Sequence, residues 1–294
     1  MAKRRAAGST GAARSVPAGR RRGWIAITAL LLASGCSDAP RVDSYWVRAD
    51  LRGAYGFPTA GFVRAREDAD EGELEGDNVR WKRDLDLEGS LGYGARVDVR
   101  PLHETELSFT YDLFDGFHGA DTLGRARRYD GRVYPEGEQV RSELEWRRVT
   151  ASAAHRVLAL GNPSGPSGPL ADILVRAGVE GSTFDTELRG NTVPEEKREL
   201  RTGAPFVALE GRAAILPRIV FEHSLAAGYW NHEGSRLELF SATATFRLRV
   251  WGPLDALVGY EFAYRDGKAS FENGEITRVD LTMHAVQLGL GLQF

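Results

Sequence analysis

Apolar and polar residues alternate over long stretches of this sequence, and this period of two constrains the fold more than any other feature. In residues 84–100, every odd position from Leu85 to Val99 is apolar or glycine, and every even position from Asp84 to Arg100 is polar or glycine. Successive side chains of a strand point to opposite faces, whereas a helix would scatter both sets around its circumference. The segment is therefore predicted to be a β-strand with one apolar and one polar face.

The same alternation recurs about ten times along the chain. Two strands begin near Tyr45 and Glu106, and the others are predicted at 140–153, 171–187, 204–216, 218–230, 236–251, 254–267 and 278–294. Near Arg147 and Arg148 the phase shifts by one residue, which predicts a β-bulge. We expect an all-β, antiparallel, up-and-down transmembrane barrel of about ten strands, with eight or twelve as alternatives.

The predicted connections alternate between long and short segments. Long connections are expected at 57–82, 118–137, 188–203 and 268–277, and short ones at 101–103, 216–218 and 252–253. Outer-membrane barrels have short periplasmic turns and longer external loops. We therefore expect both termini to lie in the periplasm. The connection at 160–169 is long for a periplasmic turn.

A secreted β-sandwich or a lipocalin-like soluble barrel would also alternate. The predicted strands, however, run over 12 to 17 residues, whereas soluble strands usually have about 5–6. Aromatic residues also cluster near the predicted strand ends, as in the girdles at membrane interfaces. Both features favour a membrane barrel.

The first 35 residues predict a signal peptide. They contain seven basic residues and no acidic one, followed by an apolar run from Trp24 to Ala33. The stretch Leu32-Ala33-Ser34-Gly35-Cys36 resembles the lipobox of bacterial lipoproteins, although Ala33 replaces the usual leucine. The resemblance implies lipidation at Cys36; the alternative is cleavage that leaves Cys36 as a free thiol. We expect a linker over 36–43 and a barrel over 44–294. Without residues 1–35 the chain has 31 basic and 41 acidic residues, which argues against nucleic-acid binding.

The chain ends on Phe294 within a predicted strand. Residues 284–294 resemble the C-terminal assembly signal of Gram-negative outer-membrane proteins, which implies insertion by the barrel-assembly machinery and contact with membrane lipid and lipopolysaccharide. Residues 134–137 (Tyr-Pro-Glu-Gly) and 140–144 (Val-Arg-Ser-Glu-Leu) resemble uncharacterised barrels of environmental Gram-negative bacteria. This second resemblance implies fold and location only.

The polar faces of the predicted strands place charges of both signs inside the barrel. We expect either an ion-pair network that closes the lumen or a narrow polar channel for small solutes. The predicted inward residues are Arg48, Asp50, Arg52, Asp84, Asp86, Glu88, Arg96, Asp98, Glu106, Asp112, Arg141, Glu143, Glu145, Arg176, Glu180, Glu210, Arg212, Arg247, Arg249 and Glu261.

Barrel enzymes are a more distant alternative. Omptin proteases are ten-stranded and use an Asp-Asp pair facing an Asp-His pair; this chain offers Asp84, Asp86 and His232, but Trp230 stands where the second aspartate belongs. Lipid A-modifying barrels use a membrane-facing histidine, for which His223 and His284 are candidates. No metal-ligand spacing and no phosphate-binding loop is present in the sequence, so we expect neither catalysis nor a cofactor.

Overall fold

A computed structural model describes residues 45–66, 77–161, 169–270 and 276–294. The predicted signal peptide, Cys36, the linker and residues 67–76 lie outside the described residues. Within those four ranges the chain forms no helix with the length and apolarity needed to cross a membrane.

Ten long strands of the described chain form one antiparallel sheet that closes on itself, as predicted. Each strand pairs with the next, and the last pairs with the first. The strands are β1 (Val47–Arg66), β3 (Ser90–Leu102), β4 (Thr105–Thr122), β7 (Gln139–Leu160), β8 (Ala171–Gly190), β9 (Glu196–Leu216), β10 (Ile219–His232), β11 (Ser235–Trp251), β12 (Leu254–Ser270) and β13 (Ile276–Gln293). Three short strands lie in the connections: β2 (Val79–Arg80), which pairs with β1, and the hairpin of β5 (Arg127–Tyr129) and β6 (Arg132–Tyr134).

The ring closes between β1 and β13 over their whole length, from the pair Arg48–Gln293 to the pair Arg66–Ile276. The last residue takes part in this closure. The Phe294 carbonyl accepts hydrogen bonds from the backbone nitrogens of Trp46 and Val47, at 2.6 and 3.1 Å, and its own nitrogen donates to the Val47 carbonyl at 2.9 Å.

The two ends of the barrel differ in their connections. The terminus end carries Tyr45, Phe294, three two-residue turns and the connection from β7 to β8. The loop end carries the other connections, which are longer with one exception. Between β10 and β11 only Glu233 and Gly234 intervene, both with positive φ (47° and 78°), as tight hairpin turns require.

Several strands extend further toward the loop end than the alternation predicted. β1 continues to Arg66, although the sequence predicted a loop from residue 57, and β9 begins at Glu196 instead of 204. Conversely, residues 84–89 are not in a strand; that segment follows a turn at 81–84. Its alternation arises because its leucines are buried in the barrel while Asp86 and Glu88 face solvent.

The predicted bulge at Arg147–Arg148 is absent from β7, so this prediction is wrong. Leu144, Trp146 and Arg148 all face the interior in an unbroken period of two. The register instead shifts in the facing strand β4, between Phe114 and Phe117. The apparent slip in the sequence arises because the interior of the barrel changes from apolar to charged at this level.

The outer face of the barrel bears a belt of exposed apolar side chains, which continues on every long strand. A contiguous apolar surface of this kind marks contact with a membrane. Trp251, which is 80% exposed, lies at the terminus end, and Tyr229 lies toward the loop end. The belt includes Leu51, Leu91, Val97, Phe109, Val149, Val175, Val179, Val207, Leu209, Leu225, Phe246, Val258, Leu288 and Leu290.

Candidate functional site in the barrel lumen

A cluster of ionised side chains fills the lumen on the terminus side, and we call it the lumen network. It contains eleven arginines and ten carboxylates, so its formal charge is close to neutral. Its members are Arg48, Asp50, Arg52, Arg96, Asp98, Arg100, Glu106, Asp112, Arg148, Arg156, Asp172, Arg176, Glu180, Glu210, Arg212, Glu222, Arg247, Arg249, Asp255, Glu261 and Arg265.

Glu106 of β4 is the most heavily contacted carboxylate of the lumen network. Arg176 of β8 donates to Oε1 at 2.6 Å, and Arg212 of β9 lies 2.9 Å from both carboxylate oxygens. Arg100 and the Tyr45 hydroxyl donate to Oε2 at 3.2 and 2.6 Å. Donors from different strands thus meet at one buried anion.

Other ion pairs span the lumen. Arg148 of β7 binds Glu261 of β12 at 2.5 Å as well as Asp112 on the adjacent β4 at 2.6 Å. Arg247 of β11 binds Asp50 of β1 at 2.8 Å. A desolvated charge is tolerated only when it is paired and hydrogen-bonded, and removing one partner leaves the other uncompensated. The network therefore ties distant strands together across the barrel.

Arg48 adds a further bridge across the lumen. Its guanidinium lies 2.6 Å from Asp98 on the adjacent β3 and 2.8 Å from Glu222 on β10. Glu222 in turn lies 3.7 Å from Arg247, so the bridges share partners rather than acting as separate pairs.

Most of the predicted inward charges meet in this network. Six of them do not: three lie on the outer face of β7, two lie in the connection after β2, and one, Asp84, lies near the loop end. The residues brought together are Arg48, Asp50, Arg52, Arg96, Asp98, Glu106, Asp112, Arg176, Glu180, Glu210, Arg212, Arg247, Arg249 and Glu261.

Arg141, Glu143 and Glu145 lie on the outer face of β7 and not in the lumen, so their predicted placement is wrong. Beyond the membrane belt the outer face meets water and becomes polar, which inverts the polarity of both faces. Asp86 and Glu88 are exposed in the connection after β2.

Asp84 is buried but lies near the loop end of the barrel, outside the lumen network. Its carboxylate accepts a hydrogen bond from Arg127 at 2.5 Å and another from the Arg80 backbone nitrogen at 2.9 Å. The pair fixes the β5–β6 hairpin to the turn after β2.

Sequence reasoning missed several members of the lumen network. Arg148 stands at the supposed bulge and was not among the predicted inward residues, although it shares the inward face of β7 with Trp146. Arg265 lies on the predicted strand 254–267 and shares its parity with Glu261. The other residues missed are Arg100, Arg156, Asp172, Glu222 and Asp255.

The lumen on the loop side is filled by apolar side chains, which we call the apolar plug. Trp146 stacks on Phe114 and Phe184 with ring centroids 5.6 and 6.1 Å away. Arg148 and Arg265 lie 5.3 and 5.5 Å from the same indole ring, so Trp146 marks the boundary with the lumen network. The plug consists of Val63, Ala65, Val79, Trp81, Leu85, Leu87, Phe114, Phe117, Leu123, Tyr129, Tyr134, Val140, Leu144, Trp146, Phe184, Leu188, Leu200, Ala263, Val279, Leu281, Met283 and Ala285.

Hydrogen bonds hold the connections in the apolar plug. The Trp81 indole donates to the Asp280 carbonyl at 2.7 Å. The Tyr134 hydroxyl donates to the Leu188 carbonyl at 3.2 Å, and desolvation raises the pKa of Tyr134 to about 12. The connecting segments therefore close the barrel as part of its core.

A cavity of about 150 Å³ remains in the lumen. Six arginines and four glutamates of the lumen network line it, together with hydroxyl side chains from several strands. Arg96 and Arg52 keep 22% and 19% of their side-chain surface accessible, more than the other lining arginines that form ion pairs.

The residues proposed for barrel chemistry have other contacts. His232 pairs with Glu233 at 3.0 Å on the β10–β11 hairpin. His284 lies on the outer face, where it stacks on Phe57 at 5.6 Å and hydrogen-bonds Tyr260. The described residues contain no group of three or more His, Cys, Asp or Glu side chains arranged to hold a metal ion.

His223 also lies on the outer face. Its ring stacks on Phe221 of the same strand, with centroids 5.7 Å apart, and covers Gly211 of β9. This contact is a packing interaction within the wall of the barrel.

No protein-family model matches the chain, and no curated protein matches it significantly in sequence. Solved structures do match in fold. The outer-membrane protease OmpT from Escherichia coli is 11% identical, with a TM-score of 0.55 over 88% of this chain and 99% of OmpT. The outer-membrane protein OprG from Pseudomonas aeruginosa is 12% identical, with a TM-score of 0.40 over 86% of this chain and 98% of OprG. The match to OmpT shows that the chain has the fold of Gram-negative outer-membrane β-barrels, and its apolar belt agrees with a location in that membrane.

Proposed function

We propose that the protein is a structural or interaction barrel of the outer membrane whose lumen is closed. The observation that carries this proposal is the double closure. Ion pairs such as Arg148–Glu261 bridge the terminus side of the lumen, and the apolar plug fills the loop side with buried aromatic rings. A conducting path would have to displace both layers.

The surface offered to partners in this proposal is the loop end. The outer face of β7, β8 and β9 carries ion pairs there, including Arg147–Asp185 at 2.5 Å and Lys197–Glu187 at 2.9 Å. The connections beneath are anchored in the plug, so the surface is preorganised, which reduces the ordering cost of binding.

Planar-bilayer recording tests the closed lumen. We expect the wild-type protein to produce no steady conductance steps. Trp146→Ala and Phe184→Ala, combined with Arg148→Ala, remove two plug rings and a bridge of the lumen network and serve as the opened comparison, while Trp251→Ala on the outer face is the matched control. Steady unitary steps from the wild type would support a narrow small-solute channel instead.

We infer that the barrel-assembly machinery recognises the strand that ends at Phe294. We also infer that Cys36 carries a lipid anchor and that the barrel contacts lipopolysaccharide. Deleting Phe294 is expected to lower the outer-membrane level of the protein. Cys36→Ser is expected to abolish lipid labelling while the barrel still folds, as judged by heat-modifiable migration on gels.

A further inference from the structure

The lumen cavity has features that a space-filling ion-pair network does not require. Its lining is rich in donors: Arg48, Arg52, Arg96, Arg148, Arg176 and Arg212 outnumber the four lining glutamates. Arg212 Nη1 is buried and has no hydrogen-bond acceptor among the described residues. The lining arginines pair with carboxylates behind the cavity surface, such as Asp98 and Glu106, but this one buried donor has no partner among the described residues.

Two of these arginines are placed to act together. Arg52 lies directly opposite Gly94 in the register of β1 and β3, and Arg96 is two residues further along β3. Side chains at such diagonal positions lie roughly 7–8 Å apart at the backbone and can share a partner. Gly94 has no side chain, and the Asp112 carboxylate, which accepts a hydrogen bond from Arg52 at 3.0 Å, lies in the space beside it. Guanidinium groups bind carboxylate and phosphate oxygens with matching geometry.

Hydroxyl groups line the facing wall. Ser224 comes from β10, and Ser241, Thr243 and Thr245 come from consecutive inward positions of β11. These side chains are short, which leaves the space open, and each offers a further donor.

The hydrogen-bonded ladder between β9 and β10 is interrupted at the loop-side edge of this cavity. Pairing stops at Phe206–Gly228, next to Pro205, which has no N–H to donate. Beyond this point β9 pairs with β8 and the rest of β10 pairs with β11. Phe206 lines the cavity and packs with Leu237 and Leu239 in a buried apolar cluster, which closes the wall here.

We propose that the cavity binds a small oxyanion, a phosphate group or one of similar size, between Arg52, Arg96 and the hydroxyl wall. The site adds ligand binding to a barrel that remains closed to through-flow. It does not depend on the proposed interaction role of the loop end.

Titration calorimetry with inorganic phosphate tests the site, using the full chain in a nonionic detergent. We expect saturable binding at one site per barrel. Arg52→Gln and Arg96→Gln should each weaken binding about tenfold or more, because each removes a charged hydrogen-bond donor. Arg147→Gln removes an arginine from the outer face and should leave the affinity unchanged.

A cavity-filling variant keeps the proposal testable if the arginine variants fail to fold. Thr243→Phe occupies the space while leaving every arginine in place, and heat-modifiable migration checks its folding. We expect it to abolish phosphate binding. No saturable binding by the wild type, or equal affinity in Thr243→Phe, would show an adventitious ion only and overturn the site.

A further measurement identifies the source of the anion. Displacement of phosphate by dihexanoyl phosphatidic acid would assign the site to a lipid headgroup, and failure of displacement to a free anion; both outcomes retain the oxyanion site. Bilayer conductance tests the closed lumen separately.

Discussion

The two halves of the lumen contain opposite chemistry, although the same strands build both. On the terminus side, β7 points Arg148 inward and Val149 outward; toward the loop end, it points Leu144 inward and Glu145 outward. The first arrangement suits a wall surrounded by lipid, and the second suits a wall surrounded by water. The difference indicates that the loop half is organised like a soluble barrel that continues above a membrane barrel.

The two halves also differ in what holds them together. In the membrane half, stability across the lumen depends on paired charges, and in the loop half it depends on apolar packing with a few buried hydrogen bonds. Substitutions of neighbouring residues can therefore separate the contributions. We expect the following effects, from the largest to the smallest.

Breaking the lumen network should cost the most. Arg148→Ala leaves Glu261 as a buried anion without its ion pair and leaves Asp112 with Arg52 alone, so we expect a loss of about 3–5 kcal/mol in the free energy of unfolding. Denaturant unfolding in lipid vesicles provides the measurement. Arg147→Ala, one residue away on the exposed face, is the control and should cost about 0–1 kcal/mol. Equal losses for both variants would contradict the assignment of the two faces.

Opening a cavity in the apolar plug should have the next largest effect. Leu144 is completely buried, and Leu144→Ala is expected to cost about 2–5 kcal/mol through lost transfer energy and the cavity left behind. Val133→Ala, at a half-exposed site of the β5–β6 hairpin, should change stability little. Faster proteolysis of the loop-end connections in Leu144→Ala alone would support a soluble-type core in that half.

Tyr134 tests the plug through pH. Burial raises its pKa to about 12, above the roughly 10 of an exposed tyrosine. A raised folded-state pKa gives a contribution that is fully present below pH about 10 and is lost as the pH rises toward about 12. Tyr134→Phe should remove this alkaline decline and cost about 0.5–1.5 kcal/mol at neutral pH, through the lost bond to Leu188. An alkaline unfolding profile identical to that of the wild type would contradict the prediction.

The smallest effect is expected at Glu138, before β7. Hydrogen bonds from the Thr192 backbone nitrogen at 2.6 Å and from its hydroxyl at 2.9 Å lower the pKa of Glu138. A lowered folded-state pKa gives a contribution that is present above the ordinary value of about 4.3 and is lost as the pH falls through the folded value. The protection factor of the Thr192 amide, which is the intrinsic exchange rate divided by the observed rate, should therefore fall on acidification. Glu138→Gln should abolish that pH dependence. Glu136→Gln, two residues earlier, serves as the control. An unchanged acid response in Glu138→Gln would show that the hydrogen bonds from Thr192 to Glu138 do not cause it.

Much of the fold was predictable from the sequence because side-chain alternation is a local property of a strand. Phe294 and the inward set of β13 follow from the pattern of the last strand, and the ring of ten strands follows from counting such segments. The predicted boundaries failed where the surroundings change from lipid to water. Residues 57–66 of β1 no longer match the membrane pattern, yet they continue the strand.

Only the inward direction of the residues in the lumen network was predictable, from their odd or even positions along each strand. Arg48 and Asp98 could be assigned to the interior from their own strands, but the contact of Arg48 with Glu222 depends on a strand far away in the chain. The position of Asp84 against Arg127 depends on how a hairpin folds back over the barrel. No local pattern encodes these distances.

By itself, the sequence determined that this chain forms strands with two chemically distinct faces, because the period of two is set by backbone geometry. It also determined that charges of both signs face the interior at the membrane level. The tertiary structure alone decided where the two faces exchange polarity, which carboxylate each arginine binds, and that a cavity remains beside an interrupted β9–β10 pairing. These features depend on the surroundings of each strand and on contacts between residues far apart in the chain, and only the closed barrel brings such residues together.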